Sequence, residues 1–155
     1  MKPVTNASST RKHSQKGAVA VEMAIVLPLF AIFLLGIFDL GSAAREHQVL
    51  QNAAREGARF ASMGTNSMAG ANGATVLATI RARVLAYLQN EGVTVPAANI
   101  VVDQNFPVTV GTFTVQGTQV TITYNRPWIF TGSGGYLRLP GSLNLQGQAV
   151  FRNLP

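Results

Sequence analysis

Two hydrophobic periods and one unbroken apolar run divide this chain. From Ala18 to Phe38 the residues are apolar on every side, with Glu22 the one charge among them. At about 1.5 Å per residue this run makes about 31 Å of helix, matching a hydrocarbon core of about 30 Å, so a membrane span is predicted. Pro28 and Gly36 interrupt it, which membrane helices tolerate where neighbours re-satisfy the freed backbone. The helical pattern continues beyond the span: Leu40, Ala43, His47, Leu50, Ala54, Gly57 and Ala61 recur at alternating spacings of three and four. Glu46, Gln51, Asn52, Arg55, Glu56 and Arg59 fall off that seam. One helix from about Ala18 to Ser62, about 67 Å long if unbroken, is expected, with a small-residue seam that lets another backbone approach closely.

Residues 62–74, SMGTNSMAGANGA, read as a flexible connection. A second amphipathic helix is predicted from about Ala74 to Asn90, with Leu77, Ile80, Val84 and Leu88 on one face and Gly92 placed to end it. After that the period becomes two. NIVVD is a short candidate strand, Phe106, Val108 and Val110 alternate with Pro107 and Thr109, and Val120, Ile122 and Tyr124 alternate with threonines. QGTQ, between Val115 and Val120, is the expected hairpin loop. Leu143, Leu145, Gly147, Ala149 and Phe151 share one face of a last strand. The predicted fold is α+β: a long helix, membrane-spanning and then amphipathic, followed by an antiparallel sheet of three or four strands with one face on helix. Residues 125–141 exceed the usual loop length. With Trp128 and Phe130 they form either an apolar flap over the sheet or a loop for a partner.

Composition changes this picture in one place. The chain has 155 residues, no cysteine and a net charge of +6. A disulfide framework and thiolate chemistry are therefore excluded. Lys2, Arg11, Lys12 and Lys16 supply four of the twelve bases before the apolar run begins, in a leader without acids that is expected to be disordered in water. No basic stripe with interleaved aromatics follows, so nucleic acid is not an expected partner. The leader charge is a topology signal: by the positive-inside rule residues 1–17 are cytoplasmic, 18–38 span the inner membrane, and the helical extension 39–62 and an α+β domain over 74–155 are outside.

Glu22 separates three readings of the amino terminus. An ordinary secretory signal would be cut before Arg45, with Ser42 and Ala44 as the small flanking residues, but the run is long for that and the cut would split a continuous helical pattern. A plain uncleaved anchor explains the length and leaves the carboxylate without a role, although a charge at the middle of a membrane helix costs about 2.5–3.5 kcal/mol. The third reading rests on the order basic leader, Gly17, Ala18, then Glu22 as fifth residue of an apolar helix. That order resembles the processing site of type IV pilins and pseudopilins, in which a prepilin peptidase cuts after the glycine. Cleavage would place an α-amino group on Ala18, one helical turn from Glu22. In an assembly Glu22 could instead meet the amine of a neighbouring Ala18, joining two charges that are each costly alone.

GAVAVEMAIVLPLFAIFLLGIFDLG followed by LQNAAREGARFAS is similar to the TadE-like pseudopilins of the tight-adherence (Flp) pilus system, and NAAREGAR at 52–59 matches their helix motif throughout. Met23 stands where that family commonly has an aromatic residue. The resemblance implies processing at Gly17 and Ala18, assembly roles for Glu22 and Pro28, and a partner face made by Asn52, Arg55, Glu56 and Arg59. It implies as partners the cytoplasmic membrane, other pilins of the system, the prepilin peptidase and an inner-membrane assembly platform. The alternatives are an uncleaved, membrane-anchored binding domain exported to the outside, and an uncleaved structural subunit of the secretion complex.

Catalytic chemistry has few parts to draw on. His47 is the one histidine after the leader, and Asp39, Glu46, Glu56, Glu91 and Asp103 show no paired spacing suited to acid/base work or metal ligation. Arg55, Glu56 and Arg59 read as a solvated helix face with a Glu56 to Arg59 pair at i, i+3. GSGG at 132–135 lacks the Lys-Ser/Thr of a phosphate loop and reads as a turn. No enzyme activity, metal or cofactor is expected.

Overall fold

The structure, a computed structural model, describes residues 14–63, 73–128 and 141–153. The leader up to residue 13, most of the 62–74 connection, and residues 129–140, with Phe130 and GSGG, lie outside the described residues. The elements are α1 (Ser14–Ala61), α2 (Gly73–Asn90), a 3-10 turn (Ala97–Asn99), β1 (Ile100–Val110), β2 (Phe113–Pro127) and β3 (Ser142–Arg152). The strands form one antiparallel sheet in the order β1-β2-β3. The fold is α+β, with a long apolar amino-terminal helix. The chain divides into two compact units, Met1–Phe38 and Asp39–Pro155.

In the first unit α1 runs through Pro28 without ending. The proline ring leaves the carbonyl of Ala24 without its usual N–H partner. From Ala18 to Phe38 every residue but the half-buried Gly36 is exposed. The helix is long and apolar enough to cross a membrane.

The second unit is built around two cross-strand rows. Val120 lies opposite Val102 and Ala149, and Ile122 opposite Ile100 and Gly147. Leu50 of α1 and Ile80, Val84 and Leu88 of α2 complete the core with them. Burying each of these larger aliphatic side chains contributes about 1.5–3 kcal/mol. α2 ends as its sequence directs: Gly92 has φ +76°, its N–H donates to the Gln89 carbonyl and that of Val93 to Leu88, at 3.0 and 2.9 Å. This pair of bonds is a Schellman cap, which satisfies carbonyls that the helix end would otherwise orphan.

Three sequence expectations are corrected. The IVVD of NIVVD, from Ile100, and Phe106–Val110 belong to one strand, β1, whose register shifts between Asp103 and Phe106. The Asn105 N–H donates to Asp103 Oδ1 at 2.9 Å inside that bulge, so local side-chain bonding accommodates the extra residue. The hairpin is not at QGTQ, which lies within β2, but at Gly111 and Thr112, between the paired Val110 and Phe113. Gly111 has φ +65°, the left-handed value that a two-residue hairpin loop requires and that glycine adopts at little cost.

The third correction concerns the α1 seam. Leu40 and His47 are exposed, whereas Val49, Ala53 and Ala58 are buried and Glu46, Gln51 and Glu56 are half-buried. The buried face is wider than a single seam because two partners cover it. A Cβ on Gly57 would collide with Val84 Cγ2 of α2, and one on Gly147 of β3 would stand 2.5 Å from the Leu50 carbonyl group. Gln51 reaches the same strand, its Nε2 donating to the Gln146 carbonyl and its Oε1 accepting from the Gln148 N–H at 3.5 and 3.4 Å.

Candidate functional site

The residues singled out from the sequence fall into separate places. Gly17, Ala18, Glu22 and Pro28 lie on the first unit of α1, all exposed, and Glu22 stands among Val19, Val21, Met23, Ile25 and Val26. Among the described residues Glu22 has no ion pair. A carboxylate on a surface this apolar is stable in water and costly in hydrocarbon unless a cation meets it.

The motif NAAREGAR is divided between two tasks. Ala53, Ala54, Gly57 and Ala58 are buried, and the missing side chain of Gly57 is what leaves room for Val84 of α2, with Val120 of β2 beside it. Asn52, Arg55 and Arg59 are exposed, and Glu56 at the margin pairs with Arg59 at 3.4 Å and with Arg83 of α2 at 3.2 Å. The expected i, i+3 pair is present, and Arg83 is a second partner that no local spacing could supply. Exposed pairs of this kind contribute about 0.2–1 kcal/mol each.

A constellation that the sequence reading missed sits where the second unit begins. Arg126, on the core-facing register of β2 after Val120, Ile122 and Tyr124, is 2% exposed, and Asp39 is 3% exposed. Arg126 Nη1 lies 2.6 Å from Asp39 Oδ1 and Nε lies 3.0 Å from Glu46 Oε2. Its Nη2 donates to Ser42 Oγ, which in turn donates to the Asp39 carbonyl at 3.0 Å. Asp39, Ser42 and Glu46 stand at i, i+3 and i+7, one face of two helical turns. Burial disfavours the guanidinium charge, but Asp39 and Glu46 outweigh it and hold Arg126 above its ordinary pKa. Tyr124 is raised as well, by burial first and by Glu46 second, with Arg126 acting against both.

Two signals could have revealed this cluster. A charged residue at an inward position of an alternating strand needs a buried counter-charge. An acid, serine and acid on one helix face supply it.

Trp128 follows β2 and is half-buried, with its indole Nε1 shielded from water and without a hydrogen-bond partner among the described residues. Among the described residues no group of three or more histidine, aspartate or glutamate side chains is placed to hold a metal ion. No curated protein and no solved structure matches the chain. Residues 17–59, less than half of the chain, match the family model described as TadE-like protein, and that match points to a protein associated with the tight-adherence pilus.

Proposed function

We propose that this protein is a minor pilin or pseudopilin of a tight-adherence pilus, inserted in the inner membrane with its leader inside, cleaved after Gly17, and assembled through α1. The single observation that carries this reading is Glu22. It is a lone carboxylate on a helix surface that is otherwise apolar on every side, and it lies one turn from Ala18. The family match begins at residue 17, beside the proposed cut. Removing the leader creates the cation that Glu22 lacks, on its own Ala18 or on a neighbour's, and pairing across chains would reward the correct axial register. Pro28 leaves an acceptor carbonyl free within the same span. The energy for assembly comes in this reading from a separate ATPase, and the chain itself has no catalytic role.

The test is the first residue of the mature protein, by mass spectrometry, in cells with and without the prepilin peptidase. The expected result is a start at Ala18 that disappears without the peptidase. An intact leader in both strains, or a start at Arg45, overturns the processing. Glu22→Ala is expected to leave cleavage intact and to reduce surface pili; normal piliation in that variant removes the proposed pairing.

A further inference from the structure

The face of α1 opposite the core carries a row of its own. Arg45, Gln48, Asn52, Arg55 and Arg59 recur at spacings of three, four, three and four, and all five are exposed. No acid and no apolar residue interrupts the row. At about 100° per residue these positions stay within about 80° of one another, so they form one narrow stripe along the axis. Arg45 and Arg55 have neither an ion pair nor a hydrogen bond among the described residues. Arg83 of α2 adds a further exposed guanidinium at the margin, and the one carboxylate nearby, Glu56, is already shared between Arg59 and Arg83. Four guanidiniums therefore face one carboxylate.

From this charge imbalance we propose that the stripe is the docking surface for an acidic helix of a different subunit, one with carboxylates at matching three- and four-residue spacings. The inference rests on the reading that α1 packs against other subunits, and it names the chemistry of the contact. A second copy cannot apply the same stripe to itself, because guanidinium would meet guanidinium and like charges across an interface are repulsive. An anionic bilayer fits less well: a surface-lying helix alternates its cations with apolar residues that enter the lipid, and here Gln48 and Asn52 stand between the arginines. A rod-shaped partner offering carboxylates meets the row along its length, and each guanidinium can bind a carboxylate through two parallel N–H donors.

The test is in-cell photo-crosslinking of the full chain, with the crosslinker at Asn52 in the middle of the stripe and, separately, at Leu29 in the apolar part of α1. The crosslinked peptides are identified by mass spectrometry. The expected result at Asn52 is an adduct to another subunit, on a peptide with acids spaced three or four apart. The double reversal Arg45→Glu with Arg55→Glu should reduce that adduct on the order of tenfold, as loss of electrostatic complementarity does. Neutral Arg45→Gln with Arg55→Gln should reduce it less, and neither pair removes an ion pair or a hydrogen bond among the described residues. An Asn52 adduct to lipid, to a second copy, or to a peptide without acids overturns the proposal, as does an adduct indifferent to both substitutions. If Leu29 crosslinks to other subunits while Asn52 does not, the acidic partner is wrong and the assembly reading stands. If neither site crosslinks to another subunit, both fail.

Discussion

Two carboxylates on the same helix, Glu22 and Asp39, meet opposite fates. Asp39 is buried against Arg126, 2.6 Å away, with Ser42 and Glu46 completing the site. Glu22 is exposed among apolar side chains. Both are awkward charges by composition alone. The difference teaches where each half of α1 finds its complement. Up to Phe38 the side chains of the helix are exposed, and in the proposed reading its apolar surface and its charge are answered by lipid and by other chains. From Asp39 onward the helix is answered from within, by β2, β3 and α2. A charge that the fold neutralises is structural, whereas the open one at Glu22 is the charge that the proposed assembly would use.

The largest expected effect breaks the internal half of that contrast. Arg126→Ala leaves Asp39 buried, and Glu46 half-buried, without a cation, and breaking a buried pair in this way costs about 3–5 kcal/mol. Thermal unfolding of the detergent-solubilised chain, followed on the sheet signal, should show the loss, while Glu22→Ala should leave the same transition within about 0.5 kcal/mol. Equal effects of the two substitutions would remove the distinction between them. A smaller loss is expected from Gly147→Ala, whose methyl meets the Leu50 backbone at 2.5 Å. Overpacking of this kind costs about 1–3 kcal/mol, and hydrogen exchange at β3 amides should rise with it. An unchanged β3 would mean that α1 and β3 can separate without penalty.

The smallest effect is on pH dependence. The Tyr124 phenol has a folded-state pKa above its ordinary value of 10.0, through burial and the Glu46 charge. Its folded state therefore binds the proton more tightly than the unfolded chain does. The associated stability is present below pH about 10 and is lost as the pH rises through the folded-state value. Unfolding measured between pH 8 and 11 should fall at the alkaline end, and Tyr124→Phe should flatten that fall. An identical alkaline slope in the variant would assign the loss to other groups.

Legibility followed the range of the interaction. The span, the helix from about residue 74 to Asn90 and the alternation in β2 and β3 were readable because each is a local period in the order of residues. Gly92 was readable as a cap for the same reason, since its role depends on six neighbouring positions. The hairpin was misplaced because QGTQ and Gly111-Thr112 both carry turn residues, and the choice between them depends on which pairing aligns Val102 with Val120 and Ile100 with Ile122. The single seam on α1 was too narrow because a helix pattern registers that a face is covered, not by how many elements. For NAAREGAR, the polar letters were legible as an outward face, but the task of the glycine appears only with Val84 and Val120 beside it.

What the sequence by itself determined is the division of labour along the chain: an apolar run long enough to cross a membrane, a charge one turn inside it, and periods of 3.6 and 2 that specify helix and sheet. These follow from side-chain chemistry repeated at short intervals, and no distant contact is needed to read them. Only the tertiary structure decided that Arg126 closes on Asp39, Ser42 and Glu46 from far along the chain, with 84 separating Ser42 from Arg126, and that Arg83 shares Glu56. Local periodicity says that a charged side chain points inward. Which opposite charge it meets depends on how β2 is laid across α1, and that is a property of the packed chain.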